Sequence, residues 1–122
     1  MDREVIGPLK RVPLSQAVKA GGLVFVSGSI PLLPGTTEMV RGGIEAETRQ
    51  TLDNIASVLK NAGSTMEKVL KTTVYLADMA DFAAMNEVYA GYFPFEPPAR
   101  TTVQVAAMAL GARIEIEAIA LA

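Results

Sequence analysis

Two strand-like runs, Gln16 to Ala20 and Leu23 to Ser27, flank Gly21-Gly22. A pair of glycines between such runs predicts a tight hairpin whose turn takes positive φ angles. Pro31 and Pro34-Gly35 then stop the second strand and open a loop that runs through Gly42-Gly43. From residue 44 to 62 the spacing changes: Ile44, Leu52, Ile55, Val58, Leu59 and Ala62 follow a helical repeat, and Thr48 and Thr51 continue the stripe. Glu45 and Glu47 at its start, Lys60 near its end and Gly63 just beyond match the polarity of the helix dipole and its preferred stop.

Ser64-Thr65-Met66-Glu67 has the spacing of a capping box and predicts one short turn. Val69 to Leu76 is rich in β-branched residues and reads as a strand. Asp81 is placed to cap a second helix from Phe82 to Phe93, which Pro94, Pro97 and Pro98 prevent from continuing. Two more strands close the chain, from Ala99 to Val105 and from Ile114 to Ala120. The predicted order is β-β-α-β-α-β-β, to which Glu4 to Ile6 can add a short strand. That is an α+β fold: two helices on one face of a mostly antiparallel or mixed sheet.

The last two strands carry charge inside apolar segments. Strand side chains alternate between faces, so Arg100, Thr102 and Gln104 share one side, as do Glu115, Glu117, Ile119 and Leu121 in the final strand. If those two faces lie on one side of the sheet, Arg100 and Glu117 share a site. A cation beside a carboxylate suits a small anionic substrate, with the carboxylate left for acid-base work.

Composition narrows the chemistry further. The 122 residues fit one domain, 1–122. Half are hydrophobic but only 6% are aromatic, and mean hydropathy is +0.30. That apolar surplus points to an oligomer interface as well as a core. Net charge is -2 and the pI is near 5.1, with basic residues scattered, so nucleic acid is a poor partner. With no cysteine and no histidine there is no disulfide, no thiol nucleophile and no usual zinc ligand. The expectation is a cytoplasmic protein with no metal, cofactor or membrane span, working with carboxylates, Arg, Lys, Tyr, hydroxyls, backbone and water.

Seven segments in order carry a resemblance. They are Pro13-Leu14-Ser15-Gln16-Ala17-Val18, Val26-Ser27-Gly28-Ser29-Ile30-Pro31, Thr51-Leu52-Asp53-Asn54-Ile55, Lys71-Thr72-Thr73-Val74-Tyr75-Leu76, Asp81-Phe82-Ala83-Ala84-Met85-Asn86, Pro98-Ala99-Arg100, and Ile114-Glu115-Ile116-Glu117-Ala118-Ile119-Ala120. Together they resemble the YjgF/RidA family of reactive intermediate deaminases, also labelled L-PSP endoribonucleases. The resemblance implies a chorismate-mutase-like fold and a homotrimer with sites in the clefts between subunits. It also implies cofactor-free hydrolysis of enamine and imine intermediates, of the 2-aminoacrylate or 2-iminobutanoate type, to 2-keto acids and ammonia.

Carried over by position, Arg100 is the clamp for the substrate carboxylate and Glu117 the residue that orients or activates water. Gly28 offers backbone to the ligand, Asn86 lines the site, and Thr102 stands where a small Cys, Ser or Thr is frequent. Leu14 and Ser29 depart from the family's usual tyrosine and glutamine, and Met108-Ala109 replaces a common Leu-Pro pair. A less polar or roomier pocket follows from the first two changes.

Plainer roles stand beside these. Arg100 can be a structural ion-pair partner, Glu115 and Glu117 solvated glutamates, Asn86 a helix-packing amide, Gly28 a bulge, and Ser29 and Thr102 ordinary turn and strand residues. Function therefore divides between a 2-iminobutanoate/2-iminopropanoate deaminase-like hydrolase, a pathway-specific deaminase for a larger enamine, and a non-catalytic small-carboxylate binder or regulator. Ribonuclease activity is suggested by the family label alone.

Overall fold

The computed structural model describes residues 2–122. Six strands, β1 (Glu4–Pro8), β2 (Ser15–Ala20), β3 (Leu23–Ser29), β4 (Val69–Leu76), β5 (Ala99–Gln104) and β6 (Ile114–Leu121), form a single sheet. Helix α1 (Ile44–Asn61) lies between β3 and β4, and α2 (Phe82–Tyr92) between β4 and β5. The sheet order is β1-β2-β3-β6-β4-β5, with β4 and β5 parallel and every other pair antiparallel. The expected mixed sheet with two helices is present, and Glu4 to Ile6 does belong to a strand.

The Gly21-Gly22 turn takes φ angles of 60° and 78°, the left-handed pair that a two-residue hairpin needs. In α1 the stripe foreseen from spacing is buried: Leu52, Ile55 and Leu59 are at most 1% exposed, and Thr48 and Thr51 sit among them. Met85 and Tyr89 are the buried positions of α2. Against these helices the sheet presents Ala17, Val24, Val26, Val74, Leu76, Ile114, Ile116, Ala118 and Ala120, all in the core.

The register fixes what else lies on each face. Paired residues on neighbouring strands point the same way, so one row on the helix-covered face runs Ala17, Val26, Ala118, Thr72, Arg100. The opposite face carries the row Val5, Val18, Phe25, Ile119, Lys71, Ala99. Among the described residues no helix covers that second row, and Val5 and Phe25 are 46% and 44% exposed.

Two capping expectations are corrected. Asp81 makes no side-chain cap to α2; Asp78 instead accepts from the Ala80 amide at 2.9 Å, one turn earlier, because a 3-10 turn over Met79–Asp81 precedes the helix. The Ser64 hydroxyl donates to the Leu121 carbonyl at 2.5 Å, tying the end of α1 to β6 rather than closing a capping box. The short turn itself is found at Met66–Lys68.

Candidate active site

Arg100 occupies the outer end of its row, on the edge strand β5, beside α2. Its guanidinium carbon lies 4.8 Å from the centroid of the Tyr89 ring and 5.5 Å from that of Phe82, a cation held on two aromatic faces. Burial pushes the Tyr89 phenol up; its hydrogen bond with Thr72, at 2.7 Å, and the charge of Arg100 act the other way. Among the described residues no carboxylate lies within ion-pair distance of Arg100. Asn86 follows Phe82 by one helical turn, and Thr102 follows Arg100 by one pleat. The Oδ1 of Asn86 and the Oγ1 of Thr102 are both buried without a hydrogen-bond partner. Such atoms cost on the order of 1–3 kcal/mol each when left so.

Glu117 is elsewhere. It pairs with Thr73, one residue out of phase with the Ala118–Thr72–Arg100 row, and so points from the bare face of the sheet. The expectation that the polar faces of β5 and β6 lie on one side of the sheet is therefore corrected. Alternation holds within each strand, but β4 lies between β5 and β6 and the register through it sets their polar faces on opposite sides.

Around Glu117 a second group assembles. Tyr75 and Glu115 are register partners on the same face, and the Tyr75 hydroxyl donates to Glu117 Oε1. That bond comes first in raising the Tyr75 phenol above its ordinary value, followed by burial and the charges of Glu117 and Glu115. Glu115 is also pushed up, by burial first and by the Glu117 charge second. A cavity of about 320 Å³ is lined by these three side chains, by Gly28 and by the loop containing Val105 and Met108. A Cβ at Gly28 would meet Glu115 Oε2, so glycine gives the carboxylate its space.

The loop wall is anchored from outside. The Val105 amide donates to the Leu76 carbonyl at 3.0 Å, Arg41 Nη2 to the Leu110 carbonyl at 3.3 Å, and the Arg113 amide to Glu47 Oε1 at 3.3 Å. Glu47 itself is only 2% exposed.

Leu14 and Ser29 line a larger cavity, about 550 Å³, which reaches α1 at Asn54 and Ser57 and again includes Gly28. Asn54 Nδ2 donates to the carbonyls of Ile30 and Leu32, at 3.2 and 2.8 Å, holding that loop on the helix. The sequence-derived candidates thus divide into three places. Arg100, Asn86 and Thr102 gather beside α2; Glu117 and Gly28 face the smaller cavity; Leu14, Ser29 and Gly28 face the larger one. Tyr75 was missed, and Glu115 was read as solvated. Lys71, Thr73 and Tyr75 alternate with the core residues of β4, which marks Tyr75 as facing away from the helices. Its partner Glu117 depends on β4–β6 pairing, which no local pattern discloses.

The family model described as Endoribonuclease L-PSP matches residues 7–122. The chain belongs to that family. Over 108 residues it is 52% identical to Reactive Intermediate Deaminase A, chloroplastic, of Arabidopsis thaliana, covering 88% of this chain and 58% of that longer protein. It is 47% identical to the 2-iminobutanoate/2-iminopropanoate deaminase of Mus musculus, covering 88% and 80%. The Rid-family protein YyfA of Yersinia pestis has the same fold at a TM-score of 0.93 and 40% identity, with 99% and 100% of the two chains aligned. The YjgF/RidA architecture anticipated from seven short segments is thus the observed one.

Proposed function

We propose that this chain is a hydrolytic deaminase of reactive enamine and imine intermediates, working as a homotrimer with its sites between subunits. One observation carries the reading: each half of the site lacks what the other has. Arg100 offers a cation with no carboxylate and sits beside two buried polar atoms with no partner. Among the described residues that line it, the smaller cavity has two carboxylates and no cation. Because the halves lie on opposite faces, a second copy is needed to bring them together. The apolar row Val5, Val18, Phe25, Ile119 supplies a surface for that association.

In the assembled site Arg100 holds the substrate carboxylate through a two-pronged guanidinium contact, which a lysine could not reproduce. Backbone groups at Gly28 and Ser29 hold the other end. Glu117, fixed by Tyr75, aligns water and accepts its proton as the oxygen adds to the iminium carbon. Ammonia then departs and a 2-keto acid remains. Hydrolysis of this kind needs only water and the protein's own groups, and the scheme contains no cofactor. Relatives named as deaminases at 47–52% identity support the chemistry. Among the described residues no helix is long and apolar enough to cross a membrane; the reading places the enzyme in the cytoplasm, beside the enzymes that release such intermediates.

Arg100→Ala is expected to abolish hydrolysis of 2-imino acids while fold and assembly persist; unchanged hydrolysis overturns the assignment. A second reading, a small-carboxylate binder or a deaminase for a larger enamine, is favoured by the 550 Å³ cavity that Leu14 and Ser29 line. Adding the protein to a threonine dehydratase reaction separates the small-imine deaminase from the binder. Faster keto-acid release supports the deaminase; ligand binding without acceleration supports the binder.

A further inference from the structure

Resting on the deaminase reading, we propose that Tyr89 and Phe82 are positioning residues for Arg100. Their ring faces hold the guanidinium in place and leave its fork of N–H groups free for the substrate carboxylate. An arginine steadied by a carboxylate gives that partner the same N–H groups that an anionic substrate needs. Among the described residues Arg100 has no carboxylate at ion-pair distance. It has instead the Tyr89 ring, 4.8 Å from centroid to guanidinium carbon, and the Phe82 ring, at 5.5 Å. A ring face attracts a cation without accepting the hydrogen bonds that lie in the guanidinium plane.

The rings are themselves fixed. Phe82 and Tyr89 stand about two turns apart on α2 and so share a face of it. Tyr89 belongs to the buried core, and Phe82 packs against that core. The Tyr89 ring meets Phe93 with centroids 4.8 Å apart and planes tilted by 43°. At its tip, the Tyr89 hydroxyl shares a 2.7 Å hydrogen bond with the hydroxyl of Thr72.

Thr72 is also the register partner of Arg100 across β4 and β5. One strand pair therefore sets both the backbone from which Arg100 projects and, through Thr72, the ring on which its guanidinium lies. Such an attraction is strongest where water is excluded, and Tyr89 is only 6% exposed. The bracket fixes where the cation sits and leaves its charge for the ligand.

The test follows binding of 2-oxobutanoate, the keto acid released from 2-iminobutanoate, by calorimetry, with KM and kcat for 2-iminobutanoate measured alongside. In Tyr89→Leu, Kd and KM should rise about tenfold while kcat changes less than about threefold; Phe82→Leu should raise both constants about threefold. Tyr89→Phe keeps the ring and should recover most of the loss seen in Tyr89→Leu. Phenylalanines carrying one, two and three ring fluorines at position 89 drain negative charge from the ring face at nearly constant shape. Along that series Kd should climb with each fluorine, with melting temperature and assembly mass unchanged. A flat Kd along the series overturns the bracket and assigns Tyr89 to packing, even where Tyr89→Leu does not fold. Equal losses in Tyr89→Leu and Tyr89→Phe overturn it as well. No imine hydrolysis in wild type sinks the underlying deaminase reading instead, while the Kd series still decides the bracket, so the two failures are distinguishable.

Discussion

The two faces of the sheet come from the same strands and have different fates. On one, Leu52 of α1 and Met85 of α2 join Ile114 and Ile116 of the sheet in a core that excludes all four from water. On the other, Phe25 and Val5 stay nearly half exposed while Glu115, Glu117 and Tyr75 gather at a small cavity. The covered face holds the hydrophobic core; in the proposed assembly the bare face serves association and part of the chemistry. Arg100 is the exception that links them. It belongs by register to the covered face, but it lies on the edge strand against the aromatic rings of α2, where the proposed assembly would bring a second subunit.

Substitutions can break this contrast. The largest effect is expected from Met85→Ala, which should cost about 2–5 kcal/mol in denaturant unfolding because a fully buried side chain leaves a void. A loss under about 0.5 kcal/mol would place the core elsewhere. Next comes Phe25→Asp, which should dissociate the assembly and remove activity while far-ultraviolet circular dichroism still reports a folded subunit. Light scattering checks it, and an intact assembly would show that the bare apolar row is not the interface.

Tyr75→Phe sharpens the picture within the bare face. Loss of one hydrogen bond to a carboxylate should lower kcat roughly tenfold, with the melting temperature almost unchanged. The smallest effect is electrostatic. Glu115 is raised in the folded state, so folding favours its proton. Its contribution to stability is complete below the ordinary carboxylate range and is lost as pH rises through the raised value. Glu115→Gln should therefore melt slightly higher than wild type at neutral pH, with the gap closing in acid. A gap independent of pH would mean that the charge is not responsible.

Much of this organisation is legible in the sequence because it is local. Gly21-Gly22 announces its hairpin, the α1 stripe its buried side, and strand alternation the separation of Glu117 from Ile116 and Ala118. Pairing is not local. Whether Arg100 and Glu117 share a face depends on β4 entering between β5 and β6, and nothing near either residue encodes that insertion. The same gap hid Tyr75, whose bond to Glu117 joins residues 42 apart in sequence. Glu115 was read as an ordinary solvated glutamate because its enclosure depends on Gly28, a missing side chain on another strand. Caps were misplaced for a smaller reason: Asp78 and Asp81 are both spaced to cap, and an intervening 3-10 turn selects the first.

Mixing two inactive variants tests most directly whether the site is built from different subunits. Arg100→Ala chains keep Glu117 and Glu117→Gln chains keep Arg100, so a site that takes one residue from each of two neighbours is whole wherever the right pair meets. Co-refolding the two at equal amounts should restore about a quarter of wild-type activity from random assembly, with neither variant active alone. Mixed assemblies that form, by mass, yet stay inactive would contradict an intersubunit site.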